Sequence, residues 1–172
     1  MSVALETPGP THDSAAPALY AVSTSTPEDV LAQARTRAAS EGLAYAGGVL
    51  PPDAWALVQA GAAVLVDVRT TEERKFVGHV PTSLHVAWAT GTSMTRNPRF
   101  VRELEAKVKK DRVVLLLCRS GKRSAAAAEA AAKGGFTNVF NVLEGFEGEL
   151  NDRQQRGESD GWRHWNLPWV QD

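Results

Sequence analysis

Residues 118 to 124 read Cys-Arg-Ser-Gly-Lys-Arg-Ser and hold the only cysteine of the 172-residue chain. Arg119, Lys122 and Arg123 place three cationic side chains in the five residues after it. A thiol among cations and backbone N–H groups loses its proton readily, and comparable sites have pKa values of roughly 3.5–7.5 against ~8.5 for a free cysteine. The thiolate is a strong nucleophile, and the cations that favour it would also hold an anionic substrate. A lone cysteine can equally be a small buried hydrophobe. What separates the two readings is where the elements around Cys118 put it.

The preceding run Arg112-Val113-Val114-Leu115-Leu116-Leu117-Cys118 is the strongest strand signal in the chain, and its continuous apolar character predicts burial on both faces. Residues 119–123 then predict a short loop, with a helix opening at Ser124, running over Ala125 to Lys133 and stopped by Gly134-Gly135. In open α/β sheets ligands bind beyond the carboxyl ends of the strands, beside the N-termini of the following helices. A loop this short, with Gly121 inside it, curls so that successive N–H groups point inward as an anion-binding nest. Cys118 therefore reads as a site residue.

Other elements follow the same logic. Thr26 reads as an N-cap, with Pro27 at the first helical position and Glu28 and Asp29 in the first turn, of a helix ending near Gly42. Its face of Val30, Leu31, Ala34 and Ala38 is only moderately apolar, so weak docking or a linker is expected. A short helix is expected over residues 51–58, a strand over 63–68, a charged short helix or turn over 70–75 and a strand over 84–88. Residues 89–99 are read as a loop. An amphipathic helix over 100–110 buries Phe100, Val101, Leu104 and Val108, and residues 138–142 form the last strand. Alternating strands and helices predict an α/β fold, a parallel sheet with helices on both faces. The organisation expected is a disordered tail over 1–25, a helix or linker over 26–44 and one domain over 45–172. The alanine run 125–132 fits a helix packed closely under a strand better than low complexity.

Composition narrows the possibilities. A net charge of -1 argues against a general nucleic-acid or membrane binder. One cysteine allows no internal disulfide, Met1 to Pro10 lack the basic start of a secretory signal, and no run reaches the ~20 apolar residues of a membrane helix. A free thiol in a reducing compartment, the cytoplasm, is the expectation.

Four stretches together resemble the rhodanese family of sulfurtransferases. Cys118 to Ser124 is similar to the active-site loop of its single-domain members. Leu65-Val66-Asp67-Val68-Arg69, followed by Gly78-His79-Val80-Pro81, is similar to the first signature. Asn141-Val142-Leu143-Glu144-Gly145-Phe146 is similar to the segment after the final strand, with Phe146 where a glycine is common. Asp160-Gly161-Trp162 with Leu167-Pro168-Trp169 is similar to the C-terminal ending. The resemblance covers about residues 45–170. It implies a single rhodanese-like domain in which Cys118 carries sulfane sulfur as a persulfide, with no metal or organic cofactor. A small anionic donor such as thiosulfate would load it, and a thiol, cyanide or a protein acceptor would discharge it. Ser120, Gly121 and Ser124 belong to the loop that would hold the sulfur, and Arg119, Lys122 and Arg123 would orient the donor. Arg123 could instead pair with a carboxylate and brace the loop. Arg69 is a further candidate for the pocket, with Glu72 or Glu73 as its competing partner. Pro81-Thr82-Ser83, Arg74 and a longer spacing from Arg69 to Gly78 depart from the usual pattern and bear on substrate choice.

The rivals are weaker. Cysteine phosphatases and arsenate reductases carry their arginine six positions after the cysteine, whereas here Arg123 is at plus five and Ser124 at plus six. A nucleotide-binding P-loop needs a glycine where Leu116 stands. The four histidines are scattered, and His79 fits a turn-bracing role better than a catalytic base. Trp162, Trp165 and Trp169 fit a clamp across the domain edge better than a recognition surface. Another class of function remains: a persulfide relay or binding module serving a partner protein, with little turnover of small donors.

Overall fold

A computed structural model describes residues 24–172 of the chain. The helix α1 (Pro27–Glu41) begins as its sequence dictates: Thr26 accepts a hydrogen bond from the Asp29 N–H, and the Asp29 carboxylate accepts one from the Thr26 N–H. It ends at Gly42, whose φ of 68° lies in the left-handed region. Next come β1 (Gly47–Val49), α2 (Pro51–Gln59), β2 (Val64–Asp67), α3 (Thr71–Val77) and β3 (Leu84–His85). A small antiparallel hairpin, β4 (Ala89–Thr90) and β5 (Thr95–Arg96), precedes α4 (Phe100–Lys107). The chain closes with β6 (Val114–Leu117), α5 (Lys122–Lys133) and β7 (Val139–Val142).

The five strands β1-β7-β6-β2-β3 form one sheet, parallel throughout, with β6 in the middle. Strand alternation divides the core in two. Leu115 and Leu117 of β6 face one way with Phe140 and Val142, and meet α1, α2, Phe146 and Trp162. Val114, Leu116 and Cys118 face the other way with Val139, and meet α4, α5 and Trp88. The alanines 127, 128 and 131 of α5 are fully buried, so small side chains bring this helix close to the sheet as expected.

Three expectations need correction, and a fourth falls mostly outside the described residues. The first helix is no loose linker: Ala34 and Ala38 are buried, and Val30, Leu31 and Ala34 join the core beside β1. The tail expected over 1–25 lies, up to residue 23, outside the described residues. The helix α5 starts at Lys122 rather than after Ser124, because Gly121 takes the left-handed conformation that turns the chain into it. Two short elements were missed in glycine-rich or polar stretches, β1 and the hairpin within 89–99, where neither propensity nor alternation marks a strand. Among the described residues no helix is long and apolar enough to cross a membrane.

Candidate active site

The β6 strand delivers Cys118 to its carboxyl end, next to the start of α5. Gly121, with φ of 91°, reverses the chain so that its N–H donates to the Cys118 Sγ over 3.1 Å. The Ser124 Oγ, one turn into α5, lies 3.1 Å from the same sulfur. No side chain caps α5. The segment after β7 grips the loop from outside. The Phe146 N–H donates to the Cys118 carbonyl at 2.8 Å, and those of Glu147 and Gly148 donate to the Arg119 carbonyl at 2.9 and 3.1 Å. Gly145 makes this approach possible: a Cβ there would stand 2.5 Å from the Arg119 carbonyl carbon.

Beneath the loop lies a small polar network in an otherwise apolar layer. The Ser124 hydroxyl donates to the Asn141 Oδ1 over 2.6 Å, and the Asn141 Nδ2 donates to the Gly121 carbonyl over 3.0 Å. Both side chains are buried. Cys118 itself has a relative exposure of 1%, so its sulfur sits at the floor of the loop rather than on its rim.

The cations divide by partner. Arg123 makes a two-pronged ion pair with Glu73 of α3, at 2.8 and 2.7 Å, which is the bracing alternative of the sequence reading. Burial pushes the Glu73 carboxyl upward, but hydrogen bonds from Arg123 and the Thr70 N–H, and the charges of Arg123 and Arg69, outweigh it and hold the pKa at about 2. The Arg123 guanidinium is raised in turn, first by its hydrogen bond to Glu73. Lys122 is largely exposed and reaches Glu149 at 3.2 Å. Arg119 is half buried, and its Nε is buried without a hydrogen-bond partner among the described residues. Ser120 lies half buried in the turn itself.

Arg69 is not with this group. It is wholly buried, bound to Asp67 at 2.8 Å and to the Gly78 carbonyl at 2.7 Å, with its guanidinium 4.1 Å from the Phe146 ring centre. Neither Glu72 nor Glu73 is its hydrogen-bonding partner; Asp67, two residues back, outcompetes them. Asp67 also receives Arg74 at 2.9 Å, so the arginine that departs from the family pattern, itself partly exposed, completes a triad on a buried carboxylate. His79 braces the fold through its backbone, which pairs with Val170. Of the three tryptophans, Trp162 is buried edge-on to Trp55 at 5.9 Å, while Trp165 and Trp169 are about 40% exposed. Among the described residues no cluster of His, Cys, Asp or Glu could hold a metal ion.

The sequence reading names Asn141 and Glu73 but gives neither a part in this site. A lone polar residue inside Val139-Phe140-Asn141-Val142 was the available signal for the first. Glu73 carried none, because its pairing with Arg123 spans 50 residues.

A parallel sheet that presents a cysteine at the end of its central strand, inside a glycine-turned loop leading into a helix, defines a cysteine-loop α/β domain. The chain belongs to the rhodanese-like domain family, whose model matches residues 50–151. It is 37% identical over 117 residues to an uncharacterized protein of Rickettsia prowazekii, covering 66% of this chain and 87% of that protein. It is 32% identical over 92 residues to the chloroplastic rhodanese-like domain-containing protein 15 of Arabidopsis thaliana, covering 52% of this chain and 50% of that one. Among solved structures, the crystal structure of Rv0390 from M. tuberculosis is 43% identical, with a TM-score of 0.67, covering 74% of this chain and 99% of that one.

Proposed function

We propose that the protein is a sulfurtransferase that carries sulfane sulfur on Cys118. The Cys118 thiolate attacks the outer sulfur of an anionic donor, thiosulfate for preference. The donor's S–S bond breaks, and sulfite leaves with the electron pair. A thiolate or cyanide then attacks the outer sulfur of the persulfide, and Cys118 leaves again as thiolate. The observation that carries this reading is the Gly121 N–H aimed at Sγ from 3.1 Å, at the uncapped start of α5. That position suits negative charge on sulfur.

The loop residues take distinct parts. Gly121 holds the sulfur by its backbone, Ser124 stands beside it and Arg119, whose Nε has no acceptor, meets the incoming anion together with Lys122. Ser120 supplies turn backbone. Arg123 acts as a brace through Glu73. Arg69, spent on Asp67, contributes rigidity and no donor contact. The reaction calls for no metal or organic cofactor, and a lone free thiol suits the cytoplasm. The chain is read as one domain with α1 as part of it.

A second reading is supported by the carboxylates. Glu73 and Glu149 occupy two of the loop's three cations, which weakens the attraction for a small anion. A persulfide relay, loaded and unloaded by partner proteins, would show that pattern. Intact mass after incubation with thiosulfate tests the first reading: wild type gains one sulfur and Cys118→Ser gains none. Loading absent with thiosulfate but present with a protein persulfide donor would favour the relay. No gain from either donor would discard both.

A further inference from the structure

We propose that Asn141 is a positioning residue which, by claiming the one proton of Ser124, sets whether the Cys118 sulfur gives or receives a hydrogen bond at that hydroxyl. The proposal rests on Cys118 being the reactive sulfur. The Asn141 amide has one possible orientation. Its neighbour on one side is the Gly121 carbonyl, 3.0 Å away, which can only accept, so the NH2 group must face it. The Oδ1 therefore faces the Ser124 Oγ, at 2.6 Å, and Oδ1 can only accept as well.

A serine hydroxyl has one proton. With that proton on the path to Asn141, the oxygen turns lone pairs toward the Sγ at 3.1 Å, and the thiol S–H donates to Ser124. The chain runs S–H to Oγ–H to Oδ1, and every member is satisfied. Once the sulfur gives up its proton, those lone pairs face a negative charge. The hydroxyl must then rotate toward sulfur and leave Asn141 without its donor. Asn141 thus favours the protonated resting thiol and opposes the thiolate that attacks a donor. The Gly121 N–H, which needs no rotation, is the donor that serves the charged form.

Other charges around the sulfur stay fixed when Asn141 is changed. They are Arg119 and Lys122 of the loop, Arg123 of α5 with its partner Glu73 of α3, and Asp67 at the end of β2 with Arg69 and Arg74. A change in proton affinity on substituting Asn141 therefore reads the Ser124 proton, or damage to the loop. The Ser124→Ala background separates these.

Because Cys118 is the only cysteine, iodoacetamide alkylation of the full chain, followed by intact mass across pH, reports this one sulfur. Asn141→Leu is expected to move the alkylation profile to lower pH by about half a unit to one unit, the size of one ordinary hydrogen bond. That is roughly a three- to tenfold faster reaction below the midpoint. In Ser124→Ala the further change Asn141→Leu is expected to move nothing. An equal displacement in both backgrounds, or one toward higher pH, overturns the proposal. Should Asn141→Leu fail to fold, Ser124→Ala alone decides. A profile that stays in place or moves lower agrees with an accepting hydroxyl, and one displaced upward by half a unit or more refutes it. Alkylation needs no sulfur donor, so its outcome is independent of whether thiosulfate loads the protein.

Discussion

Two neighbouring strands, β2 and β6, run parallel in register from Val64 beside Val114 to Asp67 beside Leu117, and each is followed by a short turn with one arginine and then a helix. Their endings have opposite designs. After β2, Thr70 caps α3 with its own hydroxyl, Glu73 closes the capping box, and Asp67 consumes Arg69 and Arg74. Among the described residues, every buried side-chain polar atom of Asp67, Arg69, Thr70, Glu73 and Arg74 has a partner bar one nitrogen of Arg69. After β6, no side chain caps α5, and the turn's Gly121 N–H is spent on sulfur. A similar strand–turn–helix unit can thus be a brace or a site. The difference is whether its polar groups are answered from within. Here the brace also serves the site, because Glu73 belongs to the first turn of α3 and reaches across to Arg123.

Breaking the brace should cost more than any change in the site. Asp67 and Arg69 both have side chains with no exposure, and removing one charge of such a pair leaves the other buried and unanswered. Asp67→Asn is expected to lower stability by about 3–5 kcal/mol, measured by urea unfolding with an unchanged slope. A loss under about 1 kcal/mol would mean that the Gly78 carbonyl and Phe146 suffice for Arg69 and that the triad is not what holds this end of the sheet.

The link between the two turns should be sensitive to acid. Glu73 titrates at about 2 in the folded protein against an ordinary 4.5. Its folded value is the lower one, so its contribution is fully present above about pH 4.5 and is lost as pH falls through about 2. Glu73→Gln is expected to cost about 2 kcal/mol near neutrality, as hydrogen bonds to a charged group do. The difference from wild type in thermal unfolding should shrink steadily across that acid range. A pH-independent difference would show that the cap to Thr70, and not the charge on Arg123, is what Glu73 supplies.

The contrast between brace and site also explains what the sequence made legible. The loop around Cys118 could be read because strand, turn glycine and helix are consecutive, and local chemistry then dictates that N–H groups converge. The three central strands of the sheet are readable from local pattern as well: β2 and β6 are apolar runs, and β7 is broken only by Asn141. Arg69 stays open in the sequence because a strand-end arginine can point to a pocket or back to its own turn. Only packing decides, here the Phe146 ring against its guanidinium. Asn141 was passed over since a polar residue in a strand declares no partner until α5 is set above it. β1 escaped because Gly47 and Gly48 have no strand propensity, and parallel pairing to β7 alone makes that segment extended.

The smallest effect on stability should come from the cation nearest to open water. The Lys122 side chain is 78% exposed and its partner Glu149 is 47% exposed, so solvent screens their pairing. Lys122→Glu is expected to leave unfolding within about 0.5 kcal/mol of wild type, as exposed substitutions usually do. Its charge nonetheless stands at the first position of α5, beside the sulfur's turn, where it would attract a dianionic donor of the kind proposed. Reversal puts a second carboxylate next to Glu149 and opposes that approach. The KM for thiosulfate is therefore expected to rise several-fold, while kcat changes little, because the interaction is made before the sulfur moves and persists through transfer. Added salt should erase most of the difference, as it does for exposed charges about a Debye length apart. An equal fall in kcat would instead place Lys122 in contact with the transferring sulfur, and the boundary between the site and its surface would have to be drawn one residue further into the helix.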